Sequence, residues 1–258
     1  IRARAAQAER FLAQLDALDD EDFSPEAAID AAVLRHLLET EIGDARFREW
    51  EMPFDSDSNF WGYLAERRAL GSVEEYDRYI AWLGDLPRYF SEQEANARAG
   101  LERGFSVPRV TLTGRDASLE AYVVDDPENS PFWAAFAQIP DRFPAAERER
   151  LRNEGRAVIA QKVTPAFADF LRFFREDYLP QTRTTLAAEA MPDGPAYYQQ
   201  QIEEYTTLDL TAEEIRAIAN GQLAAYLRRF LPEGQDYDNR FNRFENTGEM
   251  AAQNKVPY

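Results

Sequence analysis

The sequence predicts a mostly all-α protein, a multi-helix bundle with long connecting loops. Three observations point there. Apolar residues recur at three- and four-residue spacing through most of the chain, the signature of amphipathic helices. Capping residues stand at the expected helix starts. One short stretch, FSVPRVTLT at 105–113, has the β-branched density of an extended segment, and Pro108 interrupts it. A lone strand makes no sheet, so an edge or a connecting arm is expected there.

The elements follow in order. Residues 1–18 carry Phe11, Leu12, Leu15 and Leu18 on one helical face. Ser24-Pro25-Glu26 opens the next helix with a capping hydroxyl, a proline at the first helical position and an acid near the positive helix end. Its apolar face is Ile29, Val33, Leu37 and Leu38, and Gly43 is expected to stop it. The Asp-Ser-Asp-Ser run at 55–58 reads as a turn. Ser72 and Glu75 form a capping box for a helix carrying Tyr76, Tyr79, Ile80 and Leu83. A separate helix is expected from Leu86 to Leu101, with Pro87 in its first turn and Gly104 ending it. After SPFWAAF at 130–136, a long helix spans roughly Ala145 to Tyr178, with a kink or break expected at Pro165. Thr211 and Glu214 form a second capping box. The helix behind it has an inner face of Ile215, Ile218, Ala219, Leu223, Tyr226, Leu227 and Phe230. Periodicity is lost over 231–258, so the expected division is a helical domain at 1–230 and an irregular tail at 231–258.

Composition excludes several classes of function. The 258 residues hold 29 Lys plus Arg against 47 Asp plus Glu, a net charge of −18. Phosphate contacts need a positive field, so neither nucleic acid nor an anionic membrane surface is an expected partner. Lys162 and Lys255 are the only lysines, so the positive charge is almost all arginine. Cysteine is absent, which removes disulfides, thiolate nucleophiles and cysteine-ligated metal. No run approaches the roughly 20 apolar residues of a membrane span.

Candidate chemistry is sparse. His36 is the lone histidine, so a Ser-His-Asp triad would have to use it, and a zinc site built on imidazoles would lack a second one. It lies among apolar residues in AAVLRHLLE and reads as structural or solvent-facing. Glycine-rich phosphate loops and the His-Glu-x-x-His pattern are absent. Asp125-Asp126 and Asp55-x-Asp57 lack the calcium-loop pattern and read as solvated turns. Tyr197-Tyr198 is a sharper feature, because adjacent helical residues cannot both face one core. Tyr205-Thr206-Thr207 either lines a polar groove or caps and turns the chain.

The stretch MPDGPAYYQQQIEEYTTLDLTAEEIRAI at 191–218 resembles a segment of the bacterial family known as domain of unknown function 885. LERGFSVPRV at 101–110 is similar to that family's Gly-x-x-x-Pro-Arg-Val element. SPFWAAFAQIPDRFPAAERERL at 130–151 and EDYLP at 176–180 are similar to its Ser-Pro-Phe and Tyr-Leu-Pro blocks. The resemblance covers roughly 1–230 and rests on the order and spacing of the blocks. It implies a mostly helical, periplasmic, secreted or envelope-associated bacterial protein of the zincin metallopeptidase type, lipoproteins among them. The family's His-Glu-x-x-His-like helix lies downstream of the Thr-Glu-Glu-Ile block, beyond this chain. The resemblance therefore carries over no catalytic and no metal residue, and zinc is expected only with a downstream catalytic half. Tyr205 and Arg216 stand where the family tends to show histidine. Two functions follow. The chain is the N-terminal wall of a peptide cleft, lined by Tyr197, Tyr198, Tyr205, Thr206 and Thr207, with a peptide substrate and its own C-terminal half as partners. Alternatively it is a non-catalytic helical module that binds peptide or protein.

Overall fold

Local capping chemistry sets where the helices begin. The computed structural model describes residues 2–19, 23–55, 57–65 and 70–230, with side chains described up to 222. The expected tail at 231–258 lies outside the described residues. Among them the regular elements are helices, with one isolated antiparallel bridge between Phe54 and Asn59. Contacts divide the chain into two compact units, 1–200 and 201–258.

In the first unit, α1 (Arg2–Asp16) and α2 (Pro25–Phe47) form a helical hairpin. The Ser24 hydroxyl accepts from the Ala27 N–H at 3.2 Å, as its sequence predicts. Gly43 does not stop α2. The helix runs on to Phe47 and ends where Arg48 turns left-handed at φ 58°. A Cβ at Gly43 would meet the Gln200 side chain at 2.6 Å, so this glycine permits a close approach instead.

The Ser72 cap opens α3 (Val73–Arg103), and here the expected two helices are one. Its buried residues Tyr76, Tyr79, Leu83, Leu86, Phe90, Ala97 and Gly100 keep a three–four alternation straight through Pro87. Proline deprives the Leu83 carbonyl of its usual N–H partner, and burial of this seam outweighs the loss. Gly104, with φ 76°, ends the helix by donating its N–H to the Gly100 and Leu101 carbonyls.

Residues 105–113 form no strand. The arm 105–108 is irregular and leads into a 3₁₀ turn at Arg109–Leu112. Its backbone makes one ladder-like bond, Arg109 N–H to the Arg183 carbonyl at 2.7 Å. The short helices α4 (Asp116–Glu120) and α5 (Ala134–Ala137) follow, the second entered through a Ser130-capped turn.

The long helix over 145–181 comprises α6 (Ala145–Val158), α7 (Thr164–Phe173) and α8 (Leu179–Gln181), joined by two π turns. In place of a break at Pro165, the turn Ile159–Val163 widens so that the Thr164 N–H reaches five residues back to Ile159. The same device at Phe174–Tyr178 precedes Pro180. Each wider turn relieves the clash between a proline ring and the carbonyl four residues earlier. The buried seam of α3 packs on Leu151, Ile159, Val163, Phe167, Phe170 and Phe174 of this helix. Rings interlock there, as in Phe90–Phe167 with centroids 4.7 Å apart, within the favourable range for aromatic pairs.

After a 3₁₀ turn at Ala188–Ala190 comes α9 (Gly194–Thr206), and α10 (Ala212–Phe230) belongs to the second unit. The capping box before α10 is complete. The Glu214 N–H donates to the Thr211 hydroxyl at 3.2 Å, and the Thr211 N–H donates back to the Glu214 carboxylate at 2.8 Å. Of the expected inner face of α10, Ile215 is half-buried while Ile218 and Ala219 are exposed.

Candidate functional site

Three sequence blocks far apart in the chain meet in the first unit. The arm after α3 supplies Phe105, Ser106 and Arg109, the end of the long helix supplies Tyr178 to Arg183, and the start of α9 supplies Tyr197. The Arg109 guanidinium donates to the Pro180 carbonyl at 2.5 Å and the Thr182 carbonyl at 3.1 Å. It thereby caps the negative end of the long helix. Arg183 answers in the other direction. Its N–H donates to the Ser106 hydroxyl at 3.2 Å and its Nε to the Ser106 carbonyl at 2.7 Å, and burial pushes its pKa down.

Phe105 is fully buried against Tyr197, ring centroids 5.2 Å apart, and Phe47 meets the same tyrosine at 5.4 Å. Beside them Arg103 donates to the buried Glu51 carboxylate at 2.7 Å and to the Phe47 carbonyl at 2.9 Å. At the start of α9, Asp193 is left-handed at φ 54°, and a Cβ at Gly194 would meet the Ala188 carbonyl at 2.1 Å. The Pro-Asp-Gly step is therefore a tight turn that aims Tyr197 at this junction. Tyr178 is fully buried beside Phe54, and burial pushes its phenol pKa upward. These groups fasten chain segments to one another, although the buried Tyr178 hydroxyl and Arg109 Nε have no hydrogen-bond partner among the described residues.

The concave surfaces of this unit lie elsewhere. A cleft of about 430 Å³ is lined by Tyr63, Leu64, Leu70, Arg78, Tyr79 and Trp82. Tyr79 and Trp82 stack at 5.8 Å, and Tyr63 stands 85 % exposed at the rim. Such a cleft offers flat apolar faces to a ligand, with the Arg78 guanidinium and the Glu75 carboxylate both on its lining. A second hollow, about 470 Å³, is bordered by Arg4, Leu37, Glu41, Asp44, Glu49 and Trp50. Burial raises the Asp44 carboxyl above its ordinary 3.8 and Glu41 adds to the shift, while hydrogen bonds with Glu49 and Gln200 oppose it.

The tyrosine pair divides as helical geometry requires: Tyr197 is buried and Tyr198 is 48 % exposed. In the second unit Tyr205 is 80 % exposed. The Thr206 hydroxyl donates to the Ile202 carbonyl at 2.6 Å and accepts from the Leu208 N–H at 3.2 Å. Thr207 turns left-handed at φ 57°. These two threonines thus terminate α9, the turning role that their sequence also allowed. The carboxylate pairs are turn caps. Asp55 accepts from the Asp57 and Ser58 N–H groups at 2.6 Å each, and Asp126 accepts from the Glu128 N–H at 3.0 Å. His36 is half-buried on α2. A single imidazole and no thiol do not fit a zinc site built on two or more such ligands. The 430 Å³ cleft escaped sequence reasoning, because its aromatics come from two segments whose proximity periodicity does not encode.

The family profile described as bacterial protein of unknown function (DUF885) matches residues 1–252. The chain belongs to this family. No curated protein matches it. Among solved structures, "the putative lipoprotein from Colwellia psychrerythraea" is similar with a TM-score of 0.73 at 17% identity. The similarity covers 87% of this chain and 41% of that one, so this chain spans about two fifths of its structural relative. DUF885 membership and a shared helical fold are therefore shown together. Among the described residues, no helix is long and apolar enough to cross a membrane.

Proposed function

We propose that this DUF885 chain is the N-terminal helical portion of a zinc-metallopeptidase-like hydrolase, forming one wall of a peptide cleft. The catalytic centre belongs to a C-terminal part that these 258 residues do not contain. The observation that carries this reading is the length relation, 87% of this chain against 41% of its structural relative. The family resemblance supports the hydrolase class, and the relative's lipoprotein description supports an envelope or periplasmic location. Tyr198, Tyr205, Thr206 and Thr207 are the proposed lining; Tyr197, the fifth residue of that expectation, packs within the first unit on Phe47 and Phe105. The test is expression of the longer gene product, with measurement of bound zinc and hydrolysis of a peptide panel. One zinc per chain with peptide cleavage is expected, and Tyr198→Ala or Tyr205→Ala should lower kcat/KM by about tenfold, roughly 1.4 kcal/mol of lost binding. A longer product that holds no zinc and cleaves nothing would rule the reading out.

The cleft of Tyr63, Tyr79 and Trp82 beside Arg78 favours a second reading, a non-catalytic peptide-binding module. On that reading, apolar peptides quench tryptophan fluorescence of this chain alone, and Tyr63→Ala weakens them about tenfold.

A further inference from the structure

Two hydrophobic cores of the first unit meet at one methionine. The main core joins α3 to the long helix and includes Phe54. A smaller one gathers Phe47, Phe105, Met191 and Tyr197, from three distant stretches of chain. Among the described residues, Met52 is the one partly buried apolar side chain that packs against both. The backbone passes from one core to the other around it. Glu51, just before, is buried in its pair with Arg103, and Phe54, just after, is 2 % exposed in the main core. A thioether on a flexible, unbranched chain suits a position that must fit two differently shaped surfaces.

The sulfur inventory gives this position a second meaning. With no cysteine, the thioethers of Met52, Met191 and Met250 are all the sulfur the chain has. Met250 lies outside the described residues. The other two belong to the same junction, and they differ in access: Met191 is 6 % exposed, whereas Met52 is half-buried. An oxidant in solution therefore reaches Met52 first.

From this placement we propose that Met52 is an oxidation site, and that its sulfoxide releases the smaller core from the main one. The co-reactant is a peroxide. The Met52 sulfur attacks one oxygen of hydrogen peroxide, an S–O bond forms and the O–O bond breaks. The departing hydroxide takes the proton left on the new oxygen and leaves as water. Sulfur is oxidised by two electrons and the peroxide is reduced by two. The product is a polar, hydrogen-bond-accepting group set between two apolar surfaces, where it lacks the solvation it needs and draws the side chain toward water. The main core keeps its interlocked rings. The smaller core has four buried side chains, and through Met191 and Tyr197 it fastens the start of α9. That attachment is the one to loosen. Methionine sulfoxide is reducible enzymatically, so the change is reversible. The assignment does not depend on a downstream catalytic part.

The 258-residue chain carrying Met250→Leu, with two thioethers left, tests the proposal. It is treated with hydrogen peroxide and quenched with free methionine. Peptide masses then give the oxidised fraction at each site, and hydrogen exchange is followed over 191–200 and over 83–90 in α3. Met52 should oxidise about tenfold faster than Met191. Exchange over 191–200 should then quicken about tenfold while 83–90 keeps its rate, and methionine sulfoxide reductases acting on both epimers should restore the slow exchange. Adding Met52→Leu, a volume-conserving change, should leave 191–200 slow before and after peroxide. Faster oxidation of Met191, or unchanged exchange with Met52 fully oxidised, overturns the proposal. So does loosening of 83–90 to the same degree, which is general loss of fold, or an undiminished peroxide response in the Met52→Leu chain.

Discussion

At the residue scale the informative positions are those where a side chain, or its absence, decides whether two segments can touch. Gly100 lies in the last turn of α3, and a Cβ there would meet the Glu51 carbonyl oxygen at 2.1 Å and the Phe105 carbonyl at 2.8 Å. Both obstacles are backbone, so neither swings aside. Gly100→Ala should destabilise the first unit by about 3 kcal/mol, the upper end of overpacking costs. Gly221 is its control, since nothing lies within 4 Å of a Cβ there. Gly221→Ala should gain about 0.5–1 kcal/mol of helix stability. Urea unfolding midpoints of the two variants check the pair, and a tolerated Gly100→Ala would show that the junction is looser than described.

The buried ion pair beside Gly100 supplies a second residue-scale prediction. Glu51 is 5 % exposed and depends on Arg103 at 2.7 Å and Arg48 at 3.2 Å. Arg103→Met keeps the volume of the side chain but leaves the carboxylate with the more exposed arginine alone. A loss of about 3–5 kcal/mol is expected for a buried pair broken from one side. The double variant Arg103→Met with Glu51→Gln should recover part of that loss, because the stranded charge goes with its partner. A double-mutant cycle in urea measures the recovery, and strict additivity would mean that the pair is not coupled.

At the element scale the capping box of α10 ties helicity to pH. Hydrogen bonds from the Thr211 N–H and hydroxyl hold the Glu214 carboxyl below its ordinary 4.5. A carboxyl depressed by folding stabilises the helix above its unfolded value and ceases to do so as pH falls through the lower folded value. Far-ultraviolet circular dichroism between pH 5 and about pH 3 should therefore show helix loss that Glu214→Gln removes. An identical acid profile in Glu214→Gln would detach the box from the transition. This box, the Ser24 and Ser72 caps and the Gly104 stop were all legible in the sequence, because capping is settled within four residues. Gly43 reads locally like Gly104, yet its role depends on Gln200, far along the chain. Pro87 reads as a helix start, although the three–four series from Tyr76 to Gly100 continues through it and marks one helix. On α2 the periodicity groups Ile29, Val33, Leu37 and Leu38 as one face, of which the first three are exposed and Leu38 is half-buried. It does not say what covers that face, because covering is a property of the partner surface. The tyrosine pair was legible for the same geometric reason, whereas the cleft at Tyr63 and Trp82 depends on tertiary proximity alone.

At the scale of the whole molecule the excess of 18 negative charges opposes compactness, and arginine is what holds it. Several arginines grip more than one carboxylate. Arg150 meets Asp77, Glu147 and Glu154 at 2.9 Å each, and Arg175 meets Asp116 at 2.8 Å and Glu120 at 2.9 Å. Two electrostatic effects then compete when salt is added. Screening weakens the pairs, but these are partly exposed and worth about 0–1 kcal/mol each. Screening also relieves the repulsion among the carboxylates left in excess, which acts over distances up to about 10 Å at 0.1 M salt. The pairs are short-range contacts near 3 Å and lose least, whereas the diffuse repulsion is the component that salt removes most fully. Raising sodium chloride from about 20 to 300 mM should therefore raise Tm by about 2–4 °C, the shift produced by roughly 1 kcal/mol in a protein of this size. Chloride is the appropriate anion, since sulfate would stabilise any fold by exclusion from its surface. A Tm that falls over this range would mean that the arginine pairs, and not relief of the net charge, dominate the electrostatics of the folded state.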